Sequence, residues 1–281
     1  GITNKLIQAA QLAADKDDKY KELLNEIKET HYKFAKELNI KKESLEQLEI
    51  DLKELKDTLK GIYLIKEISP RTMDLIMSFG ERLSTLIISS SIKNSEQLDA
   101  RKVLLTNNNF GYAKLNKEVS YKQIQEHFKN TNKLQIITGF IASTEEGETS
   151  TLGRGGSDYT ASIFAAALKA KEIEIWTDVD GIMTADPRVV NKSFSIKNIS
   201  YIEAMEMSHF GAKVIHPPTM QPALNNDIPI RIKNTKNPSF EGSVISNKTS
   251  SALTIKGIST IKDIALLRVQ GAGMVGVPGI S

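Results

Sequence analysis

The chain has 281 residues, 40% of them hydrophobic and 25% charged, enough for one large or two ordinary globular domains. Lys plus Arg number 37 against 34 Asp plus Glu, without a basic block, which argues against a nucleic-acid partner. Cysteine is absent, excluding disulfides, thiolate catalysis and cysteine metal sites. No apolar run reaches the ~20 residues of a membrane span, so no membrane partner and a cytoplasmic location are expected.

Residues 1 to 14 read as a turn running into a helix, with Thr3 or Asn4 as the cap before Leu6, Ile7, Ala10 and Leu12. A charged helical hairpin follows, at about 15–66. Tyr20, Leu24, Ile27, His31, Phe34 and Leu38 alternate steps of four and three, as do Leu45, Leu48, Leu52, Leu55, Leu59 and Ile62. Asn39 can close its first helix, and Ser44 with Gln47 reads as a capping box for the second. His31 on that stripe reads as a packed core histidine. Ser69-Pro70 opens a further helix through Met73, Ile76, Phe79, Leu83 and Leu86, interrupted by Gly80-Glu81-Arg82.

Strands and helices then alternate: a strand over 102–106, a helix over 121–129, a strand over 134–142, a glycine loop with its helix from Ala161, and a strand over 173–178. This alternation predicts an α/β fold, a mostly parallel open sheet between helical layers, with ligands gathered beyond the carboxyl ends of the strands. Ser200 with Glu203 makes a capping box, and short strands are predicted at 228–233, 242–246, 252–256 and 264–270. Both ends of the chain read as cuts through a longer polypeptide.

The stretch Thr151-Leu152-Gly153-Arg154-Gly155-Gly156-Ser157-Asp158-Tyr159-Thr160 carries the chemistry. Its glycines allow close backbone approach, and the helix start behind them favours an anion. Arg154 offers a planar fork for a carboxylate or phosphate, while Asp158 would repel a bare phosphate unless a cation lies between. Gly153, Gly155 and Gly156 also loosely imitate a dinucleotide fingerprint with Asp178 as the ribose acid, so an NAD(P)-binding oxidoreductase domain stays open at this point.

Taken with Gly1-Ile2-Thr3-Asn4, Phe79-Gly80-Glu81, Gly139-Phe140, Trp176-Thr177-Asp178-Val179-Asp180-Gly181, Thr184-Ala185-Asp186-Pro187-Arg188 and Phe210-Gly211-Ala212-Lys213-Val214-Ile215-His216-Pro217, the stretch resembles aspartate kinase. The run from Lys256 to Gly279 resembles the start of the regulatory region in bifunctional aspartate kinase–homoserine dehydrogenases. The resemblance implies the amino-acid-kinase fold with an inserted helical hairpin, a catalytic domain over 1–255 and the start of a small-molecule regulatory (ACT) region over 256–281. It implies phosphoryl transfer from Mg-ATP to L-aspartate, and a homo-oligomer in the full-length enzyme. Thr3, Glu81, Phe140, Arg154, Gly155, Gly156 and Ser157 would hold aspartate. Gly153, Thr177, Asp178, Met183, Arg188, Lys213 and Val214 would hold ATP, and Asp158, Arg154 and Lys213 would serve catalysis, with no dedicated protein metal site. Two departures accompany it: many members have Tyr where this chain has Met183, and the family's opening strand with a Lys-Phe-Gly-Gly loop is expected before Gly1. A related amino-acid kinase, or a binding fragment without turnover, are the alternatives.

Overall fold

The computed structural model describes residues 1–209, 216–247 and 255–258. Four helices, α1 (Ile2–Ala14), α2 (Tyr20–Glu37), α3 (Lys42–Ile65) and α4 (Pro70–Ser91), form a layer with its own core. Leu6, Ile27, Leu48, Leu55, Leu59, Ile76, Phe79 and Leu83 are completely buried there, so most of the predicted hairpin stripe is the packing seam; Phe34 and Leu38 are exposed instead, Ala35 taking the buried position at that end of α2. His31 lies within it, its Nδ1 2.7 Å from the carbonyl of Ile27, and burial lowers its pKa. Asn39 adopts a left-handed conformation (φ 48°) just past α2. Ser69 caps α4 by accepting the amide hydrogen of Thr72 at 3.1 Å.

Two caps are corrected. Helix α1 starts behind Gly1 without a side-chain cap, which places Thr3 inside its first turn. Helix α3 starts at Lys42, before Ser44, and Gln47 donates instead to Asp51 at 3.0 Å. In α1 the early start lets Ile2 pack on the helical core, whereas the exposed Lys42 and Glu43 that lengthen α3 bury nothing.

The remainder is α/β. Strand β1 (Ser95–Leu98) precedes a 3-10 turn at Ala100–Lys102, then come α5 (Lys117–Lys129), β2 (Leu134–Ile137), β3 (Ile141–Ser143), β4 (Thr149–Thr151) and α6 (Gly156–Leu168). They are followed by β5 (Ile173–Thr177), β6 (Asn198–Ser200), α7 (Tyr201–His209), α8 (Gln221–Leu224), β7 (Ile230–Asn234) and β8 (Ser243–Ser246). Strands β1 and β2 pair in parallel and β3 and β4 antiparallel, while a four-stranded sheet runs β5-β7-β8-β6 with only β7–β8 antiparallel. Its inward residues Ile173, Ile230, Ile232 and Ile245 pack on Ala165 and Ala166 of α6 and on Ala223 of α8.

The strand expected over 102–106 is not formed; only isolated bridges occur at Leu105 and Thr106. Asp99 draws that segment into the 3-10 turn by accepting from the amide and the guanidinium of Arg101. The strand expected over 134–142 is two strands, divided at Phe140, whose φ is 70°. The Ser200/Glu203 box is present: Glu203 accepts from the amide of Ser200 at 2.8 Å, and its own amide donates to Ser200 Oγ at 3.1 Å. The segment expected as a strand over 264–270, and all of 252–256 except 255 and 256, lie outside the described residues. No described helix is long and apolar enough to cross a membrane.

Candidate active site

The hairpin β3–β4 delivers the chain to the glycine loop. Gly153 (φ 73°) and Gly155 (φ 71°) take left-handed conformations that L side chains rarely adopt. A Cβ on Gly155 would lie 2.9 Å from both His216 Cβ and Thr219 Cγ2, and one on Gly156 would lie 2.7 Å from the Phe140 ring. Helix α6 begins at Gly156, five residues before the predicted start. The Gly156 and Tyr159 amides bond back to Gly153 and Gly155, whereas those of Ser157 and Asp158 take no backbone acceptor among the described residues. Such an end attracts negative charge.

Phe140 forms the opposite wall. Its amide donates to Thr160 Oγ1 at 3.0 Å, its carbonyl accepts from Leu152 at 2.9 Å, and a Cβ on the preceding Gly139 would sit 3.1 Å from Ser157 Oγ. Phe140, Gly156 and Ser157 are thereby brought together. Arg154 is exposed and has no ion pair among the described residues. Asp158 is half-buried without a hydrogen-bond partner there, and burial raises its carboxyl above the usual range.

Helix α4 contributes Glu81, also half-buried, also unpartnered among the described residues and also raised by burial. Gly80 lies within the unbroken α4 and faces α1: a Cβ on it would make ordinary contacts with Leu6 at 3.5 Å and with Thr3 Oγ1 at 3.8 Å, so Thr3 lies against the turn of α4 that carries Glu81. Charged groups left unpaired in half-buried positions mark a ligand site more often than a structural one.

The nucleotide candidates occupy a second region. Thr177 and Asp178 stand at the carboxyl end of β5, where Thr177 Oγ1 accepts the Asp178 amide hydrogen at 2.6 Å. Met183 bridges to Ser195, and Arg188 is exposed with its fork on Asp186 at 3.0 and 2.8 Å. No hydrogen bond or ion pair joins Thr177, Asp178, Met183 or Arg188 to the glycine loop among the described residues. Lys213 and Val214 lie outside the described residues. No group of three His, Asp or Glu side chains able to hold a metal occurs among those described.

Three residues that sequence reasoning did not place in the site build it, of which only Asp74 lies outside the motifs quoted above. Asp74 is fully buried and accepts from Gly111, from the Thr151 amide and from Thr151 Oγ1, each at 2.9 Å. Thr160 holds Phe140. His216 packs on Gly155 with its Nδ1 buried and without a partner among the described residues. An acid on the glycine-loop-facing side of a helix, seven residues before Glu81, was the available signal for Asp74.

Antiparallel β4, rather than a strand of a parallel βαβ unit, leads into the glycine loop, which removes the structural context a dinucleotide fingerprint requires. The chain belongs to the amino acid kinase family, whose model matches residues 1–234. Within that family it has aspartokinases among its relatives. It is 36% identical to the chloroplastic bifunctional aspartokinase/homoserine dehydrogenase 1 of Zea mays, over 99% of this chain and 32% of that protein. It is 35% identical to lysine-sensitive aspartokinase 3 of Escherichia coli, over 98% of this chain and 62% of that one. Among solved structures, E. coli aspartokinase III in complex with aspartate and ADP superposes with a TM-score of 0.81 at 37% identity, covering 89% of this chain and 56% of the other. The chain thus spans about a third of the bifunctional relatives and under two thirds of the monofunctional one.

Proposed function

We propose that this chain is the catalytic region of an aspartate kinase, transferring the γ-phosphate of Mg-ATP to the β-carboxylate of L-aspartate to give 4-phospho-L-aspartate. One observation carries the reading: an unpartnered acid, Glu81, stands on the helix that Asp74 clips to the root of the loop bearing the unpaired Arg154. An acid and an arginine fork are the complements of an amino acid's two charged ends. The aspartokinase relatives support the same reading.

In this reading Glu81 takes the α-ammonium, Arg154 forks a carboxylate, and Thr3, Phe140, Gly155, Gly156 and Ser157 complete the acceptor pocket. Gly153, Thr177, Asp178, Met183, Arg188, Lys213 and Val214 line the nucleotide side, Arg188 exchanging its Asp186 partner for phosphate. Mg2+ would neutralise phosphate charge, and Asp158, free of any partner among the described residues, is the carboxylate suited to hold it or to order a lysine. A carboxylate nucleophile has no proton to surrender, so these residues need only position and neutralise.

The domain division at 255/256, homo-oligomerisation, feedback control in a longer enzyme and a cytoplasmic location belong to the same proposal. Plant relatives are chloroplastic, so fractionation of the native host tests location. The function is tested by trapping an acyl phosphate with hydroxylamine, offering L-aspartate, glutamate and N-acetylglutamate as acceptors. In parallel, the chain is titrated with Mg-ADP, L-aspartate and NAD. Aspartate-selective trapping, or binding of Mg-ADP and aspartate but not NAD, is expected; preference for another acceptor or for NAD overturns the assignment.

A further inference from the structure

Asp74 has no place among the residues assigned above to either substrate, yet it is the most completely engaged carboxylate of the glycine-loop region. It is 0% exposed, and its two oxygens take three hydrogen bonds: Oδ2 from the amides of Gly111 and Thr151, Oδ1 from the hydroxyl of Thr151, all at 2.9 Å. Thr151 is the last residue of β4, immediately before Leu152-Gly153-Arg154. Gly111 belongs to the loop that walls Gly153: a Cβ on Gly153 would lie 3.3 Å from the Gly111 carbonyl and 3.1 Å from Tyr112 Cβ. The amide of Ala113 then donates to the Thr151 carbonyl at 2.8 Å, closing the loop onto the strand.

Seven residues along α4 from Asp74 comes Glu81, about two helical turns or ~10 Å away and on the same face. One side chain therefore joins the helix carrying the acid to the strand end from which the arginine's loop departs.

We propose that Asp74 is a positioning residue for substrate, setting the separation between Glu81 and Arg154 so that both ends of one small amino acid are held at once. This inference rests on the aspartate reading of the site. A buried carboxylate meets the requirement better than a neutral side chain, because it accepts three donors and offers none of its own, and charge-assisted bonds are the shorter and stiffer kind. Asparagine in its place can keep its oxygen on the two amides only by turning its NH2 toward Thr151 Oγ1, which must then rotate its own hydrogen away and accept, so the charge-assisted character of all three bonds is lost. Functional groups keep their geometry only when such supporting bonds hold them.

The test measures aspartate and Mg-ADP affinities of the whole chain by saturation-transfer NMR, which reaches millimolar dissociation constants, for the wild type, Asp74→Asn, Arg154→Ala and the double variant. Asp74→Asn is expected to weaken aspartate binding by roughly tenfold, the scale of a lost charge-assisted bond, and to leave Mg-ADP affinity unchanged. In the Arg154→Ala background the same substitution should cost less than about twofold, because the group it positions has gone. Equal losses in both backgrounds, a parallel loss of Mg-ADP affinity, or unchanged aspartate affinity in folded protein would each overturn the proposal. Should Asp74→Asn fail to fold, Thr151→Val, which removes only the hydroxyl donor, is expected to show the same aspartate-selective pattern in smaller degree, and its absence overturns the proposal equally. A wild-type chain that ignores aspartate while binding Mg-ADP overturns the substrate reading itself, and this inference with it.

Discussion

Thr160 receives the amide hydrogen of Phe140 on its hydroxyl oxygen at 3.0 Å and passes its own hydrogen to the carbonyl of Gly156 at 2.8 Å. Phe140 needs that support, since a non-glycine residue at φ 70° is held in a strained conformation. Replacing Thr160 with Val keeps the shape but strands a donor, at a cost of about 1–3 kcal/mol. Thermal unfolding should report the loss, and aspartate affinity should fall with it as Phe140 relaxes. An unchanged melt would separate the strain at Phe140 from this hydroxyl.

Arg154 is exposed and unpaired among the described residues, so removing it disturbs no ion pair of the ligand-free fold. Arg154→Ala is expected to leave the unfolding midpoint in place and to weaken aspartate binding by about 1.5–3 kcal/mol, the strength of a charge-assisted pair. Calorimetry with aspartate checks this; intact affinity would remove Arg154 from the substrate site.

Glu81 should show a trade of stability against function. Burial raises its carboxyl above the ordinary 4.5, so between that value and the raised one the native chain binds more protons than the unfolded chain. The stability of the ligand-free fold therefore falls as pH rises through that window and stays low at neutrality. Glu81→Gln removes the penalty and should raise the neutral-pH midpoint by on the order of 1–3 °C. It should also weaken aspartate more than succinate, which lacks the ammonium group. Equal losses for the two ligands would dissociate Glu81 from amino-group recognition.

The neighbouring Arg82 is a structural counterpart. Its guanidinium is buried, stacked 4.5 Å from the Phe79 ring centre, and paired with buried Asp51 at 2.8 Å and with the more exposed Glu54 at 2.7 Å. Asp51→Ala leaves a buried cation half-compensated and should cost about 3–5 kcal/mol in urea unfolding. Glu54→Ala, with solvent as a ready substitute, should cost less than about 1 kcal/mol. Similar losses for the two would mean that burial does not govern this network.

The helical hairpin could be read from sequence because its apolar positions recur at helical spacing over many turns, and all of that stripe but Phe34 and Leu38 joins the core. The Ser69 and Glu203 caps were legible because each is a local pattern satisfied locally. Strand β1 was not: Ser95-Glu96-Gln97-Leu98 has almost no apolar content and is held by parallel pairing with a segment some forty residues away. Nor was the break at Phe140, since phenylalanine is a good strand former and only Thr160 and Gly156 make its left-handed turn tolerable. The early start of α6 at Gly156 set poor helix formers inside a helix, a local compromise made where an anion site is built. Asp74 escaped for the opposite reason, an acid in an amphipathic helix reading as solvated until its partners, 37 and 77 residues distant, are known.

Residues 255–258 run across the loop that carries Met183 and Arg188. The amide of Ile258 donates to the carbonyl of Thr184 at 2.8 Å, and Lys256 reaches Glu203 at 2.7 Å, the same carboxylate that caps α7. This is a mooring at two points, one on the Thr184 loop and one on the helix leading toward Lys213. A displacement of either point must therefore carry residues 255–258 with it or break one of the two bonds.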